Sequence, residues 1–312
     1  MAIRLKNKDL LSIADLEAGE FPLIFEAAKL LKAKQKAREV FVPLLGKTLA
    51  MIFQKPSART RVSFDVGMYQ LGGDALLLTD AEIGLGRREP VKDVARMLSR
   101  YVDGVVIRTF DQTMLEEMAR NASIPVINGL TDFEHPCQIL ADLFTLLEKR
   151  GRLEGLKVAF VGDGNNVATS WAFAAGKVGI HLAVASPRGY ELTPEILSEA
   201  QAICKAGKGS VRQLADPLEA VKDADLVYTD VWASMGQEAE REERLAAFSR
   251  YQVNSTLMRA AGKDALVMHC LPAHRGEEIS EEVMEGFQSV IFDQAENRLH
   301  AQKAVLALLM GG

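Results

Sequence analysis

The sequence predicts an α/β protein of two lobes, each a mainly parallel sheet flanked by helices. Short runs rich in β-branched residues alternate with longer segments whose apolar residues recur every three or four positions. Strand, helix and strand in succession are typical of parallel sheets with helices on both faces. The chain of 312 residues fits two domains at roughly 100–200 residues each. We therefore expect the active site in the cleft between the lobes, at the carboxyl ends of the strands.

The predicted strands form two groups along the chain. They lie at residues 48–54, 75–79, 104–109 and 125–128, and then at 157–162, 181–186, 226–230, 265–270 and 290–293. Amphipathic spacing predicts helices at 136–149 and 296–310. We place the boundary between the lobes after residue 148, because Arg150 and Gly151 end the first of these helices.

Composition and charge exclude several classes of partner. Hydrophobic residues make up 48% of the chain and charged residues 25%, which is typical of a globular protein. The formal net charge is −5 and no basic tail or stripe is present, so we expect no nucleic-acid partner. No apolar run approaches the roughly 20 residues that span a bilayer, so we expect no membrane association. The three cysteines lack zinc-finger spacing, and this sparse, odd count favours a reducing, cytoplasmic location.

The first predicted strand leads into a segment with the features of a phosphate site. Ser57 is a good N-cap for the helix that follows, and a helix N-terminus offers unpaired N–H groups and a positive dipole end. Thr60 adds a hydroxyl and Arg59 a planar guanidinium. Arg59 and Arg61 point in nearly opposite directions on a helix, so we assign Arg59 to the ligand. The alternative is a capped helix with two surface arginines.

Two further elements of the first lobe carry polar side chains next to strand ends. His135 stands at the start of a helix, and Gln138 shares its face because it lies three positions further on. Pro136 suits the first helical turn. Arg108 closes an apolar strand, at the edge of the sheet where ligands bind. The alternatives are a structural histidine and an ordinary surface arginine.

The second lobe begins with an incomplete dinucleotide motif. Gly162 and Gly164 fill the first two positions of G-x-G-x-x-G, but Val167 stands in the third. The next strand ends at Ser186 rather than at an acid. Both departures weaken the hypothesis of a nicotinamide enzyme, and Asn166 is instead a candidate for a polar substrate.

Three more residues follow strand ends in the second half. Asp230 begins the tight polar turn 230–236, where an acid suits an ammonium ligand or is merely solvated. Cys270 ends a strand and is either core filler or a neighbour of Asp230 at a bound amine. Arg298 either reaches the site or caps a helix.

Together these segments resemble the aspartate/ornithine transcarbamoylase family. The matches run from Lys55 to Lys303 and so cover nearly the whole chain. Segments 57–61 and 135–138 resemble what all transcarbamoylases use for carbamoyl phosphate. Segments 230–236 and 269–272 resemble the branch that uses ornithine, because the aspartate branch lacks Ser-Met-Gly and has proline at the position of Cys270. The enzymes that use putrescine also lack Ser-Met-Gly.

The resemblance implies a role for each candidate residue. Implied carbamoyl-phosphate ligands are Ser57, Ala58, Arg59, Thr60, Arg108, His135, Gln138, Cys270, Leu271 and Arg298. Implied ornithine ligands are Asn166, Asp230, Ser234 and Met235. Arg59, His135 and Cys270 are the implied catalytic residues. The implied carbamoyl-phosphate domain is residues 1–148 with the C-terminal helix 297–312, and the implied ornithine domain is 149–296.

The implied activity is carbamoyl transfer from carbamoyl phosphate to the side-chain amine of L-ornithine, giving citrulline and phosphate, as in arginine biosynthesis. The resemblance also implies no cofactor, no metal, a homotrimer or a multiple of trimers, and a cis Leu271–Pro272 bond. The alternatives are a transcarbamoylase for another amine, such as putrescine or N-acetylornithine, and a two-lobed small-molecule-binding protein.

Two positions depart from the family pattern. Ala58 stands where the family usually has threonine, so one hydroxyl is lost while the backbone N–H remains. Gly84 stands where many relatives have a glutamine that reaches into a neighbouring subunit's site. That contact is therefore either missing or made by Arg87 or Arg88.

Overall fold

The computed structural model describes residues 4–233 and 238–311. The chain divides into two compact units, Met1–Phe144 with Asn297–Gly312 as unit 1 and Thr145–Glu296 as unit 2. The division falls inside a helix, a few residues before the boundary that the sequence predicts. The Arg-Gly pair at 150–151 marks the end of that helix, whereas the split between the cores comes earlier.

Unit 1 is a four-stranded parallel sheet with helices, and its strand order is β2-β1-β3-β4. Its elements are α1 Glu20–Lys36, β1 Thr48–Phe53, α2 Ala58–Gln70, β2 Asp74–Thr79, α3 Asp80–Ile83, α4 Val91–Leu98, β3 Gly104–Arg108, α5 Gln112–Asn121, β4 Val126–Leu130 and the first part of α6 Pro136–Arg150. Every residue of β3 is buried, as expected for a central strand covered on both faces. Every residue of the edge strand β4 is also buried, and the N-terminal segment at Leu10 is hydrogen-bonded along its outer edge.

Unit 2 is a five-stranded parallel sheet with the order β7-β6-β5-β8-β9. Its elements are β5 Lys157–Val161, α7 Asn166–Val178, β6 His181–Ala185, α8 Pro194–Ala206, β7 Ser210–Leu214, α9 Pro217–Val221, β8 Leu226–Thr229, a 3₁₀ turn Glu238–Glu240, α10 Arg241–Phe248, α11 Ser255–Ala260, β9 Leu266–His269 and α12 Glu281–Met284. The sheet order reverses between β5 and β8, and the loops after these two strands meet there.

The predicted architecture of two parallel sheets flanked by helices is confirmed, with eight of the nine predicted strands in place. The predicted strand 290–293 is wrong. Val290 makes one backbone hydrogen bond to Val267, and helix α13, Ile291–Met310, begins at the next residue. The buried residues of α13 recur with helical spacing, and this pattern outweighs the strand preference of the β-branched residues at its start. The sequence also missed β7, because an edge strand with arginine and glutamine has a weak apolar signal.

The helices of the described ranges are all too short or too polar to cross a membrane.

Candidate active site

In unit 1, the loop after β1 turns into α2 at the predicted N-cap. The Ser57 backbone is extended, and its hydroxyl accepts a hydrogen bond from the Thr60 N–H at 3.2 Å. The first N–H groups of α2, beginning at Ala58, therefore point out of the helix end, where an anion is stabilised by the dipole. Arg59 is half-buried and Arg61 is exposed, in agreement with their opposite directions on the helix.

A buried guanidinium connects three helices of unit 1. Arg298, on α13, donates from Nη1 to Oε1 of Gln138 at 2.6 Å and from Nη2 to Oγ1 of Thr60 at 3.2 Å. Gln138, on α6, donates in turn to Oδ1 of Asp142 at 2.7 Å. All four side chains are buried. Three predicted site residues, distant in sequence, are thus joined in one hydrogen-bonded group.

His135 immediately precedes α6 and lies in a strongly positive environment. Its side chain is buried, and burial together with the charges of Arg298, Arg108 and Arg59 holds the pKa of the imidazole well below its usual range. The ring is therefore neutral at pH 7, and it acts as a neutral hydrogen-bonding group. Arg108 ends β3 opposite Phe53 of β1, which places it beside the strand that leads to Ser57.

The N-terminal segment fixes the residue before His135. The Glu134 carboxylate is fully buried and accepts hydrogen bonds from the Ser12 hydroxyl and from the Ile13 N–H at 3.2 Å. The Glu134 backbone is also bonded to Thr131, at the end of β4. Sequence reasoning missed Glu134 and Ser12, because their pairing across more than a hundred residues leaves no local pattern.

In unit 2, the Asp230 carboxylate is held on both oxygens. Oδ1 accepts from Sγ of Cys270 and from the Val231 N–H, each at 2.8 Å, and Oδ2 accepts from Nδ2 of Asn165 at 2.8 Å. Asp230 follows β8 and Cys270 follows β9, and these strands are parallel neighbours. The contact between the predicted amine-binding acid and the strand-end thiol follows from that pairing.

The backbone after Cys270 has an unusual conformation. The Leu271–Pro272 peptide bond is cis, as the resemblance implied, and Leu271 has a φ of +60°. Its N–H donates to Nδ1 of His269 at 2.8 Å, so the ring proton lies on Nε2, which contacts Oε1 of Glu278 at 3.0 Å. Both His269 and Glu278 are buried. Sequence reasoning missed this pair, which fixes the loop carrying Cys270 and Leu271.

Gly164, the second glycine of the incomplete dinucleotide motif, serves close packing. A Cβ on Gly164 would lie 2.4 Å from the backbone nitrogen of Leu192. The backbone that follows β6 therefore presses directly on this turn, which further weakens the nicotinamide hypothesis. Asn166 is the first residue of α7 and is half-buried. Ser234 and Met235, the other predicted ornithine ligands, lie outside the described residues.

The loop after α3 accounts for one departure from the family pattern. Gly84 ends α3 with a φ of +55°, and a Cβ there would lie 2.7 Å from Cβ of Arg88. A side chain at position 84 would be strained in this loop. Arg87 of this loop is ion-paired with Asp80, the first residue of α3.

Two groups among the described residues have side chains that could hold a metal ion. Asp230, His269 and Cys270 have ligand atoms within 4.8 Å of one another. However, both ring nitrogens of His269 are engaged, one by Leu271 and one by Glu278, so this imidazole has no lone pair to offer an ion. A second group with the same spacing consists of His274, Glu277 and Glu278. The absence of a metal stays a prediction.

Two domain models of one protein family match the two halves of the chain. The family model described as "Aspartate/ornithine carbamoyltransferase, carbamoyl-P binding domain" matches residues 8–148, and the one described as "Aspartate/ornithine carbamoyltransferase, Asp/Orn binding domain" matches residues 154–309. An ornithine carbamoyltransferase of Syntrophus aciditrophicus is 58% identical over 304 residues, which are 97% of this chain and 100% of the relative.

Two solved structures are similar over almost their whole length. The ornithine carbamoyltransferase of Pyrococcus furiosus has a TM-score of 0.95 at 54% identity and covers 97% of each chain. That of Gloeobacter violaceus has a TM-score of 0.87 at 50% identity and covers 98% of this chain and 99% of its own. The chain belongs to the aspartate/ornithine carbamoyltransferase family and is a carbamoyltransferase.

Proposed function

We propose that the chain is an ornithine carbamoyltransferase, which transfers the carbamoyl group of carbamoyl phosphate to the side-chain amine of L-ornithine. The observation that carries the proposal is the contact of 2.8 Å between Sγ of Cys270 and Oδ1 of Asp230. In this contact the Asp230 carboxylate, to which we assign the α-ammonium group of ornithine, lies beside the Cys270 thiol, to which we assign the side-chain amine. The relatives of 54–58% identity that bear this enzyme's name support it.

We assign the phosphate of carbamoyl phosphate to the N-terminus of α2. Ser57, Arg59 and Thr60, with the N–H of Ala58, surround that helix end, and Arg108 ends the neighbouring strand. Helix dipole, N–H groups and guanidinium groups all favour an anion there. Since the leaving group is itself phosphate, the same groups stabilise the charge that develops on it as the bond breaks.

We assign the carbamoyl end to Gln138, His135 and Arg298. Arg298 uses one lone pair of the Gln138 oxygen and Asp142 uses one of its N–H groups. An amide has a second lone pair and a second N–H, and these match the N–H and the oxygen of a carbamoyl group. The neutral His135 ring donates a hydrogen bond to the carbonyl oxygen without releasing a proton.

The transfer step follows from these assignments. Ornithine's side-chain amine has an ordinary pKa near ~10.4, so the site selects the small neutral fraction at pH 7. Its nitrogen attacks the carbonyl carbon, the new C–N bond forms, and the C–O bond to phosphate breaks. Arg59 and Thr60 donate to the oxygen that gains charge, since Thr60 accepts from Arg298 and keeps its own proton. The surplus amine proton leaves with the phosphate.

Purified protein tests the substrate directly. Carbamoyl phosphate is offered with L-ornithine, L-aspartate, putrescine or N-acetyl-L-ornithine, and the ureido product of each is assayed. We expect product with L-ornithine alone. Product from another amine would agree with the residues assigned to carbamoyl phosphate, but it would refute the assignment of Asp230 and Cys270 to ornithine. Tight binding without any product would favour a small-molecule-binding protein.

The proposal includes a homotrimer or a multiple of trimers in the cytoplasm, serving arginine biosynthesis. Exposed apolar side chains on unit 1 support an assembly: Tyr69 is 81% exposed and Val62 57%, seven positions apart on one face of α2. Leu76, 49% exposed, lies on the edge strand β2 beside that helix. Exposed apolar groups at a sheet edge favour burial against a second chain. Native mass spectrometry tests the oligomeric state.

The relative from Pyrococcus furiosus is named as the anabolic enzyme, and this name supports a role in arginine biosynthesis.

A further inference from the structure

The side chain of Asn165 makes two kinds of contact at once. Its Oδ1 accepts hydrogen bonds from the Val167 and Ala168 N–H groups at 3.0 and 3.1 Å, and so caps α7. Its Nδ2 donates to Oδ2 of Asp230 at 2.8 Å. Because the cap fixes the plane of the amide, the direction of the Nδ2–H bond is fixed as well. Asn165, which caps the start of α7, therefore orients the carboxylate of Asp230, the residue that follows β8.

The contacts of Asp230 show what this orientation achieves. A carboxylate has about four lone-pair positions. Val231 and Cys270 use Oδ1, and Asn165 uses one position on Oδ2. All three donors are neutral, so they direct the carboxylate without cancelling its charge. With respect to the described residues, one lone pair remains on Oδ2. It has a defined direction, and it is suited to a cation such as an ammonium group.

We propose that Asn165 is a positioning residue for the amino-acid substrate: it orients the Asp230 carboxylate toward the α-ammonium group of L-ornithine. The inference rests on the proposed function, because it assumes that Asp230 binds ornithine. It predicts an effect confined to one substrate. Loss of the Asn165 donor weakens ornithine binding, whereas carbamoyl phosphate, assigned to unit 1, is bound as before.

The decisive variant is Asn165→Asp, which separates the two contacts. The new carboxylate still accepts from both N–H groups of α7, but it presents an acceptor to Asp230 where a donor stood. Aspartate is compatible with this cap, since Asp111 and Asp216 cap α5 and α9 with their side chains. We expect the KM for ornithine to rise about ten-fold or more, and the KM for carbamoyl phosphate to stay within about two-fold.

The pH dependence of Asn165→Asp gives a readout that a structural defect would not show. Two adjacent carboxyl groups share one proton as the pH falls, which restores a donor between them. The kcat/KM for ornithine, as a ratio of variant to wild type, should therefore recover between about pH 8.5 and about pH 6. Among the described residues, the other ionisable groups near Asp230 are Cys270, His269 and Asp163. His269 is bonded to Glu278, and Asp163 is paired with Arg244. They are common to both proteins, so the ratio isolates the new carboxyl.

Asn254→Asp is the matched control. Asn254 caps α11 with the same geometry, accepting from the N–H groups of Thr256 and Leu257 at 3.0 and 3.1 Å. Its Nδ2 contacts the neutral amide of Gln252 at 3.3 Å rather than an acid. We expect both KM values to match those of the wild type. Asn165→Ala, which loses the cap and the donor, should raise the KM for ornithine without recovery at low pH.

The outcomes separate this inference from the proposed function. Product from L-ornithine with the wild type is measured first, and direct binding of L-ornithine by calorimetry gives the same comparison independently of turnover. A raised KM or Kd for ornithine that recovers at low pH supports the inference. An unchanged value in Asn165→Asp, or an equal rise for both substrates without recovery, overturns it. If the wild type uses another amine, the proposed function fails, and so does this inference for ornithine. A raised KM for that other amine in Asn165→Asp would then show only that the amine contacts Asp230.

Discussion

Arg298 donates from Nη1 to Oε1 of Gln138 over 2.6 Å, although the two residues are 160 positions apart. The contact joins the C-terminal helix to the helix that begins after His135. Both side chains are buried. The C-terminal helix therefore completes the hydrogen-bonded group to which we assign the carbamoyl end of carbamoyl phosphate.

Arg298→Lys should lower kcat/KM for carbamoyl phosphate about 10- to 100-fold. A lysine ammonium cannot make the paired contacts to Gln138 and Thr60, because it lacks the planar fork of arginine. Steady-state kinetics with saturating ornithine measures the effect. Arg120→Lys, in an exposed pair with Glu116, is the control and should leave kcat/KM within about two-fold. Normal kcat/KM in Arg298→Lys would remove Arg298 from the site.

His135→Gln should lower kcat about 100-fold while the protein stays folded, because one donor to the reacting oxygen is lost or displaced.

In the wild type, the imidazole ring of His135 should stay neutral. Burial and three arginines hold the pKa of His135 well below its usual range, so its signal in NMR of histidine-labelled protein should not shift between about pH 9 and about pH 6.5. A midpoint near the ordinary value would contradict the buried, neutral ring.

Cys270→Ala should raise the KM for ornithine about ten-fold, and Cys270→Ser should raise it less. Serine retains a donor to Oδ1 of Asp230, whereas alanine leaves that oxygen with the Val231 N–H alone. Cys204→Ser, on α8, is the matched control and should leave both KM values unchanged. Equal effects of serine and alanine at position 270 would show that the hydrogen bond to Asp230 is not what matters.

We expect Lys303 to make the free energy of unfolding depend on pH above neutrality. Burial lowers the pKa of its ammonium to about 8, and its contacts with Gln35 and Gln70 are to neutral amides. Between about pH 8 and about pH 10.4 the unfolded chain binds a proton that the folded chain has released, so the free energy of unfolding rises with pH there.

The comparison of wild type with Lys303→Met isolates this effect. From about pH 7.5 to about pH 9.5 the wild type should gain about 1–2 kcal/mol relative to the variant, which is about 2–6 °C in Tm. Differential scanning fluorimetry at the two pH values measures it. A Tm difference that does not change with pH would mean that Lys303 keeps an ordinary pKa.

Most of the fold could be predicted because buried parallel strands are short apolar runs between helical patterns. The strand β3, buried at every residue, is such a case. The failures have local causes. The β-branched pair Val290 and Ile291 suggested a strand, but the helical spacing of the buried residues that follow decides the conformation. The polar edge strand β7 carries too few apolar residues to be recognised.

The candidate site could be predicted where each residue follows a strand or begins a helix. Ser57 and Asp230 carry that signal in the residues around them. The supporting residues could not be found in this way. Asn165 was not singled out, because its contact with Asp230 depends on β8 lying beside β5, and local spacing does not reveal strand order. The same holds for Glu134, whose partner Ser12 is 122 positions away.

The most direct test of the central claim follows the atoms that are joined. Carbamoyl phosphate labelled with ¹³C at the carbonyl is mixed with the protein and L-ornithine labelled with ¹⁵N at the side-chain amine, and the product is observed by NMR. The account predicts a ¹³C signal split by one-bond coupling to ¹⁵N, which appears with inorganic phosphate in equal amounts. Release of phosphate without that coupling would contradict it, because the carbamoyl group would then not have reached the side-chain nitrogen.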